Sequence, residues 1–367
     1  MKNISKRSLK EIALEANVSP ALVSLILNGK GRASDAVRKR VHALLEKNGY
    51  KPKYARAPFY FLLDLRRVEA AGKTTIVMEQ LSGMQRVFDE ADIALHVEFL
   101  MLHKNHNSAN VLPQLKRISQ RKPSGVLINT DSPFLEQACA VFTEQKIPFV
   151  QLGYDTELPS YNAVVNDSFS GAYLATSHLL QKGHRKIAII RWTGGTARVN
   201  SNKKFAGYQT ALADAGIEIV NDYIKILSAT EIDASWQPAR NLYNELLELS
   251  SPPTALFVDN SFISLSLLYP LEQDRGKLPE SLNQLEMIHY EDWSLDPVHD
   301  ILSKKLFYPH LQSTLVTIDW EVIGRTAAQL LINQITNKTQ ANQIIKVSPG
   351  LCKVHGNNRT LIEKSYH

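Results

Sequence analysis

The sequence predicts an α/β protein with an N-terminal all-α helix-turn-helix head and a two-lobed body of doubly wound parallel sheets. First, the opening residues combine helical periodicity with strong positive charge. Second, short apolar runs alternate with amphipathic stretches from about residue 60 onward, which is typical of parallel sheets covered by helices. Third, 367 residues, 44% of them hydrophobic, are too many for a single lobe. We therefore divide the chain into a head at 1–52, a hinge linker at 53–59 and a body at 60–367.

The positive charge is concentrated in the head. Residues 1–60 contain 13 Lys and Arg against 4 Asp and Glu, whereas the remainder contains 29 against 32. A basic head on a nearly neutral body indicates either a polyanionic partner or a solvated basic face. Charge alone does not distinguish the two.

The composition also excludes several classes of protein. Cys139 and Cys352 are too far apart in sequence to suggest a disulfide framework or a thiolate metal site. The basic N-terminus has no apolar stretch behind it, and no run approaches the ~18 apolar residues of a membrane span. We therefore expect a soluble, cytoplasmic protein with no membrane partner.

The head is predicted to contain three short helices. The first covers about residues 9–16 and begins with a capping-box pattern formed by Ser8 and Glu11. The second is capped by Ser19 and the third by Ser34. Because the first two are joined by a tight turn, the arrangement is that of a helix-turn-helix unit.

The second helix is predicted to be the recognition helix. The face opposite its apolar residues is formed by Ala21, Ser24, Leu25 and Asn28. This face would enter a major groove, where Ala21 and Leu25 touch thymine methyl groups. The residues predicted to donate to phosphates are Ser19, Ser24 and Asn28. Two alternatives remain: Leu25 packs inside the head, or the head is a generic protein-binding module.

The head resembles that of the lactose-repressor (LacI/GalR) family of bacterial transcription regulators. The resemblance is carried by SLKEIALEANVSPALVSLILN at 8–28, VRKRV at 37–41 and YKP at 50–52. It implies sequence-specific DNA binding. The candidate DNA-binding residues are Leu9, Ser19, Pro20, Ala21, Ser24, Leu25, Asn28, Arg32, Tyr50, Arg56 and Phe59.

The body is predicted to alternate strands and helices. Candidate strands lie at 60–65, 95–100, 125–129, 149–152, 186–191, 224–227, 255–258 and 285–290. Candidate helices lie at 75–91, 111–121, 134–145, 171–181, 203–215, 238–249 and 321–335. Ligands of such sheets bind beyond the carboxyl ends of the strands, so the cleft between the lobes is the expected site.

The body resembles the same family, whose two-lobed fold is similar to periplasmic sugar-binding proteins. The matching patterns occur in family order at 171–190, 205–208, 253–255 and 324–331. The resemblance implies that the first lobe takes residues near 60–163 plus a return segment near 293–320.

Several positions in the predicted cleft depart from the family pattern. Residues 260–261 are Asn-Ser where the family commonly has Asn-Asp, and residues 290–292 are Tyr-Glu-Asp where it has Phe-Asp-Asp. Asn202 stands where the family often has an arginine that anchors the ligand. Basic residues in loops after strands favour a phosphorylated or acidic sugar, although solvated loop charges fit equally well. Trp320 either stacks on a sugar or belongs to the core. The candidate effector-binding residues are Arg66, Arg67, Asn129, Arg198, Asn202, Asn260, Glu291 and Trp320.

The linker departs as well. The resemblance implies a short hinge helix that forms on DNA and inserts a leucine into the minor groove. Pro58 removes a helix hydrogen bond and clashes with the preceding turn, at a penalty of ~3 kcal/mol, so the hinge helix should be shortened or absent. Phe59 remains a candidate for the wedge.

An enzyme is the competing class of function. The sequence contains no Gly-x-Ser-x-Gly elbow, P-loop or His-Glu-x-x-His motif. We therefore predict a binding protein with neither cofactor nor metal. Specifically, we expect a homodimeric regulator, of repressor type, that binds pseudo-palindromic double-stranded operator DNA and is gated by a small sugar or sugar-derived effector. The alternative is a constitutive or partner-controlled DNA-binding regulator with a degenerate effector pocket.

Overall fold

The head folds as the three predicted helices. The computed structural model describes residues 7–27, 33–50, 57–64, 73–100, 111–129, 134–155, 160–193, 197–227, 237–260, 263–264, 267, 285–290, 312–337, 342–355 and 358–364. Within the head these form α1 (Leu9–Glu15), α2 (Pro20–Leu27) and α3 (Asp35–Lys47). The turn between α1 and α2 places Asn17 at a φ of 52°, in the left-handed region that asparagine tolerates.

The head has a hydrophobic core of its own. The buried residues are Ile12, Ala13, Ala16, Val23, Ile26, Val41 and Leu45. At the start of α1, Ser8 Oγ accepts from the Glu11 amide at 3.3 Å and the Glu11 carboxylate accepts from the Ser8 amide at 2.6 Å, which confirms the predicted capping box. All three helices contribute to this core, so the surface of α2 is presented on a packed scaffold.

The first lobe is built on a six-stranded parallel sheet. Its elements are β1 (Phe59–Asp64), α4 (Lys73–Glu90), β2 (Leu95–Leu100), α5 (Val111–Gln120), β3 (Gly125–Asn129), α6 (Phe134–Glu144), β4 (Phe149–Gly153), β5 (Ala163–Asn166), α10 (Trp320–Asn337) and β11 (Ile344–Val347). The strand order is β11-β5-β4-β3-β1-β2, and every pairing is parallel.

The second lobe is built on a seven-stranded mixed sheet. Its elements are α7 (Ser168–Gln181), β6 (Ile187–Trp192), α8 (Ala197–Asp214), a 3₁₀ turn (Asn221–Tyr223), β7 (Ile224–Leu227), α9 (Gln237–Leu247), β8 (Ala255–Val258), β9 (Glu286–Tyr290), β10 (Gln312–Thr317), β12 (Gly350–His355) and β13 (Asn358–Lys364). The order is β13-β12-β10-β9-β8-β6-β7, with β12 and β13 antiparallel to their neighbours.

Alternate residues of the strands enter different cores, which confirms the doubly wound architecture. In β1, Phe59 and Phe61 contribute to a core that includes α4 and α10, whereas Tyr60 and Leu62 contribute to a second core that includes α5 and α6. The second sheet is likewise covered on both faces. Both faces of each sheet are therefore apolar, as expected for parallel strands covered by helices.

The predicted division between the lobes is wrong at the return segment. We expected the chain to re-enter the first lobe near 293–320, but β10 pairs with β9 and β12 in the second sheet. The return is made by α10 and β11, because α10 packs against α4 and β11 pairs with β5. All eight predicted strands are confirmed to within a residue, whereas β5, β10, β11, β12 and β13 were not predicted.

Two glycines let α4 and α10 pack with their backbones in contact. A Cβ atom at Gly83 would lie 2.1 Å from the Glu321 carbonyl oxygen, and one at Gly324 would lie 2.1 Å from that of Gln80. Such distances exclude any larger residue without a backbone shift. This contact fixes the position of Gln80, which contributes to the site described below.

Candidate DNA-binding surface and inter-lobe cleft

The face of α2 predicted to read DNA is turned away from the core of the head. Val23 and Ile26 are fully buried, whereas Ala21 is exposed and Ser24 is half-buried. Leu25 is 42% exposed, so the alternative in which it packs inside the head is wrong. An exposed helix face with small, hydroxyl and apolar side chains suits contact with base edges and phosphates.

The start of α2 is fixed by a side-chain cap. Ser19 Oγ accepts from the Leu22 amide at 3.1 Å, and Pro20 occupies the first helical position. Ser19 and Pro20, both predicted to bind DNA, are exposed at the N-terminus of the helix, where backbone N–H groups also favour anions. Leu9, in contrast, packs partly buried against the core of the head, where it supports the fold.

The remaining predicted DNA-binding residues have different outcomes. The Tyr50 hydroxyl donates to the Arg7 carbonyl oxygen at 2.8 Å. This hydrogen bond connects the two ends of the head. Phe59 is fully buried as the first residue of β1, and its ring lies 5.2 Å from that of Phe88. The prediction that Phe59 is a minor-groove wedge is therefore wrong, because insertion would remove it from the first-lobe core. Asn28, Arg32 and Arg56 lie outside the described residues.

In the first lobe, the carboxyl ends of the strands carry buried amide side chains. Asn129, a predicted effector residue at the end of β3, donates from Nδ2 to Gln80 Oε1 at 2.6 Å. Gln151 of β4 donates from Nε2 to the Tyr154 carbonyl oxygen at 3.2 Å. These groups are uncharged hydrogen-bonding partners held in fixed orientations.

Trp320 belongs to the first-lobe core. It is 3% exposed and meets the Tyr154 ring edge-on, with the ring centroids 5.3 Å apart. Of the two predicted roles, the structure supports the one in the core. Of these two aromatic side chains, Tyr154 is half-buried and therefore lies nearer the surface than Trp320.

In the second lobe, a fully buried carboxylate, Asp259, organises the strand ends. It follows β8 and accepts from the Trp192 amide at 2.8 Å and from Ser201 Oγ at 2.6 Å. Its carbonyl oxygen accepts from Lys204 Nζ at 2.7 Å. Burial raises the pKa of Asp259 above its ordinary value, while Lys204 and these hydrogen bonds act in the opposite direction.

Arg191, at the end of β6, lies beside this carboxylate. Its guanidinium carbon lies 4.1 Å from the centre of the Phe205 ring, and its Nη2 donates to Asn202 Oδ1 at 2.9 Å. Burial lowers the pKa of Arg191 against the opposing effect of Asp259. Asn202 therefore orients the Arg191 guanidinium.

The crossover between the lobes is also polar. Asn166, at the end of β5, donates to Ser168 Oγ at 3.0 Å, and Ser168 donates to Asn200 Oδ1 at 3.2 Å. Across the cleft, Lys203 Nζ lies 2.7 Å from Asp155 Oδ1 of the first lobe. The strand ends of both lobes and α8 thus meet in one polar region.

The other predicted effector residues are only partly described. Asn260 is half-buried after β8, and its carbonyl oxygen accepts from the Ser264 amide at 3.1 Å. Arg66, Arg67 and Glu291 lie outside the described residues, as does the Arg198 side chain.

Sequence reasoning missed several residues of this region. Arg191 and Asp259 stand at the ends of apolar strands, and that position is the signal that could have found them. Gln80 and Lys204 lie within helices, where an amphipathic pattern does not distinguish them from other polar residues.

Comparison with known families decides between a regulator and an enzyme. Residues 8–53 match the family described as bacterial regulatory proteins, lacI family, and residues 77–355 match periplasmic binding proteins and sugar binding domain of LacI family. The chain belongs to the LacI family. The LacI-family assignment confirms a DNA-binding transcriptional regulator and the predicted fold class, and it argues against the enzyme alternative.

Individual LacI-family relatives are distant but match nearly the whole chain. The transcriptional repressor PurR of Photobacterium profundum is 22% identical, over 94% of this chain and 96% of that protein. A CelR–cellobiose complex has a TM-score of 0.60 at 19% identity, with 98% of this chain and all of that one covered. The lac repressor dimer bound to operator and the anti-inducer ONPF has a TM-score of 0.57 at 18% identity, with 98% of this chain and 99% of that chain covered.

Within the described part of the chain, no helix is long and apolar enough to cross a membrane. The same residues contain no group of three or more side chains suited to holding a metal ion.

Proposed function

We propose that this LacI-family regulator works as a homodimer in the bacterial cytoplasm, where it binds a pseudo-palindromic operator under the control of a small sugar or sugar-derived effector. The observation that carries the proposal is the pairing of an exposed recognition face on α2 with an inter-lobe region lined by oriented polar groups. The lac repressor dimer bound to operator supports the dimer and the operator by analogy. The CelR–cellobiose complex supports a sugar effector in the same way.

An exposed apolar surface on the first lobe suits the dimer. Val97 and Phe99 are 37% and 43% exposed on β2, the edge strand of the sheet, and Met78 of α4 is 57% exposed. An edge strand with two exposed apolar side chains makes a monomer prone to association with other chains. A second copy of the chain covering this surface would remove this tendency.

The described charges of the cleft favour an uncharged effector. Lys203 pairs with Asp155, Lys204 donates to the Asp259 carbonyl oxygen, and Arg191 donates to Asn202. These cations are engaged within the protein, so binding a phosphate or carboxylate would require breaking their contacts. An acidic or phosphorylated sugar would instead depend on Arg66, Arg67 or Arg198.

DNA recognition is tested by selecting operator duplexes from a random library and measuring affinity by fluorescence anisotropy against salt. Each phosphate neutralised should contribute about 0.9 to the slope of log K against log salt. Ser24→Ala should weaken binding to many sequences alike, whereas Ala21 or Leu25 substitutions should change the preferred sequence. Uniform loss from Leu25→Ala would contradict its role in reading bases.

Effector binding is tested by thermal unfolding against neutral sugars, sugar acids and sugar phosphates. A ligand present at 100 times its Kd stabilises the folded state by about 2.7 kcal/mol. A neutral sugar that raises Tm and changes operator affinity would support the proposal. If no compound raises Tm while operator binding is intact, the chain is the constitutive or partner-controlled regulator.

A further inference from the structure

Five consecutive residues of α8 connect separate parts of the body. Asn200 contacts Ser168 at the crossover, Asn202 contacts Arg191 of β6, and Ser201 and Lys204 contact Asp259 after β8, while Lys203 contacts Asp155. Four of these residues fix α8 to the second lobe and to the crossover. Lys203 is the member of the set that reaches the first lobe.

The Asp155–Lys203 ion pair differs in position from the other ion pairs among the described residues. Lys182–Glu286 and Lys225–Glu245 lie within the second lobe, and Arg86–Glu321 and Arg121–Glu98 lie within the first. Lys346–Asp167, at 3.9 Å, lies at the crossover itself. Asp155–Lys203 therefore joins the lobes across the cleft, at 2.7 Å.

The burial of Asp155 makes this pair sensitive to the distance between the lobes. The Asp155 side chain is 4% exposed, and its Oδ2 has no hydrogen-bond partner in the described part of the chain. A buried carboxylate is tolerated when a cation compensates it, and it becomes strongly unfavourable when that cation is removed. Separating the lobes would break the ion pair and return both groups to water. The pair therefore stabilises the closed arrangement and not the open one.

We propose that Asp155 and Lys203 form a latch that holds the two lobes closed and sets how often the free protein opens. The proposal rests on the effector gating proposed above. A ligand shifts such an equilibrium only by its difference in affinity for the two arrangements. The strength of the latch would therefore set the amount of effector needed to change DNA binding.

The latch is tested by small-angle X-ray scattering of the full-length, effector-free protein. K203M and D155N should each increase the radius of gyration, because the unpaired partner favours the open arrangement. K203R keeps the charge and should scatter like the wild type, and the exchange D155K/K203D should restore the wild-type radius. K225M breaks an ion pair within the second lobe and serves as the matched control. Wild-type scattering from folded K203M and D155N would overturn the latch.

Its regulatory role is tested on the same variants with an operator duplex selected by the wild-type protein. The Kd for this duplex should shift at least about tenfold in K203M and D155N, equivalent to about 1.4 kcal/mol, and stay constant in K203R and K225M. An enlarged radius with unchanged Kd would overturn the coupling to DNA. If the wild type selected no specific duplex, the proposed function would fail while the scattering comparison would still decide the latch.

Discussion

The two lobes stabilise their cleft-facing strand ends in different ways. On the cleft side the first lobe buries neutral amides, namely Gln80 of α4 and Asn129, Gln151 and Asn166 of the strands, together with one carboxylate, Asp155. The second lobe buries ionisable groups, namely Arg191, Lys204, Asp259 and His289. A buried amide requires hydrogen bonds, whereas a buried charge requires a compensating charge as well. The second lobe should therefore be more sensitive than the first to substitution and to pH.

The largest effect is expected from Asp259→Ala. This change leaves the Lys204 ammonium and the Arg191 guanidinium without their nearby carboxylate and removes the acceptor of Ser201. Losing one partner of a buried charged group usually lowers the free energy of unfolding by about 3–5 kcal/mol. Urea denaturation followed by tryptophan fluorescence would measure the loss. A loss below about 1 kcal/mol would show that these cations are adequately solvated without Asp259.

Asn129→Ala is the matched change in the first lobe and should have a smaller effect. It removes the donor to Gln80 Oε1 and leaves a buried acceptor unpaired, which lowers the free energy of unfolding by about 1–3 kcal/mol. Neither group titrates near neutral pH, so the loss should be the same at pH 5.5 and pH 7.5. Denaturation at both values checks this, and a pH-dependent loss would contradict the distinction between the lobes.

His289 should give the second lobe a pH dependence of its own. Burial lowers the pKa of His289 to about 3, against 6.5 for the ordinary side chain. Below pH 6.5 the unfolded chain binds a proton that the folded chain refuses, so the free energy of unfolding falls by about 1.4 kcal/mol per pH unit until about pH 3. Relative to His289→Gln, the wild type should lose about 1.4 kcal/mol on going from pH 7.5 to pH 5.5. Equal pH dependence of the two proteins would exclude this role.

The smallest effect is expected from Glu245→Gln, which breaks a second-lobe ion pair at the surface. Lys225 Nζ lies 2.9 Å from Glu245 Oε2, but the Glu245 side chain is 54% exposed. Such pairs contribute about 0.2–1 kcal/mol, and salt weakens them. Denaturation at low and high salt would measure this. A loss as large as that of Asp259→Ala would mean that burial is not what distinguishes these charges.

Local patterns were sufficient to predict most of the secondary structure. The capping box at Ser8 and the apolar spacing of the head predicted the three helices, and short apolar runs predicted strands such as β6 and β8. Two of the missed strands, β5 and β11, have four residues each, and β11 has a half-exposed, alternating pattern. Such segments form strands because a neighbouring strand is available, which a local pattern does not show.

The site was predicted only in part, because a local sequence pattern does not show which partner a residue meets in another element. Asn129, at the end of a predicted strand, and Asn202, where the family resemblance implies an arginine, were both predicted, and both take part in the polar region of the cleft. Their roles were not predicted, because each is set by a partner in another element. Phe59 was misassigned because its apolar character fits a minor-groove wedge and a core strand equally well.

The sequence by itself determined the class of fold, the exposed face of α2 and the basic character of the head, because periodicity, capping and charge act over a few residues. Only the tertiary structure decided that α10 belongs to the first lobe, that Asn129 meets Gln80, and that Lys203 reaches Asp155. These contacts join residues far apart in the chain, and they depend on how closely helices pack against sheets. The function proposed for the cleft depends on such contacts, among them the Lys203–Asp155 pair that joins the two lobes.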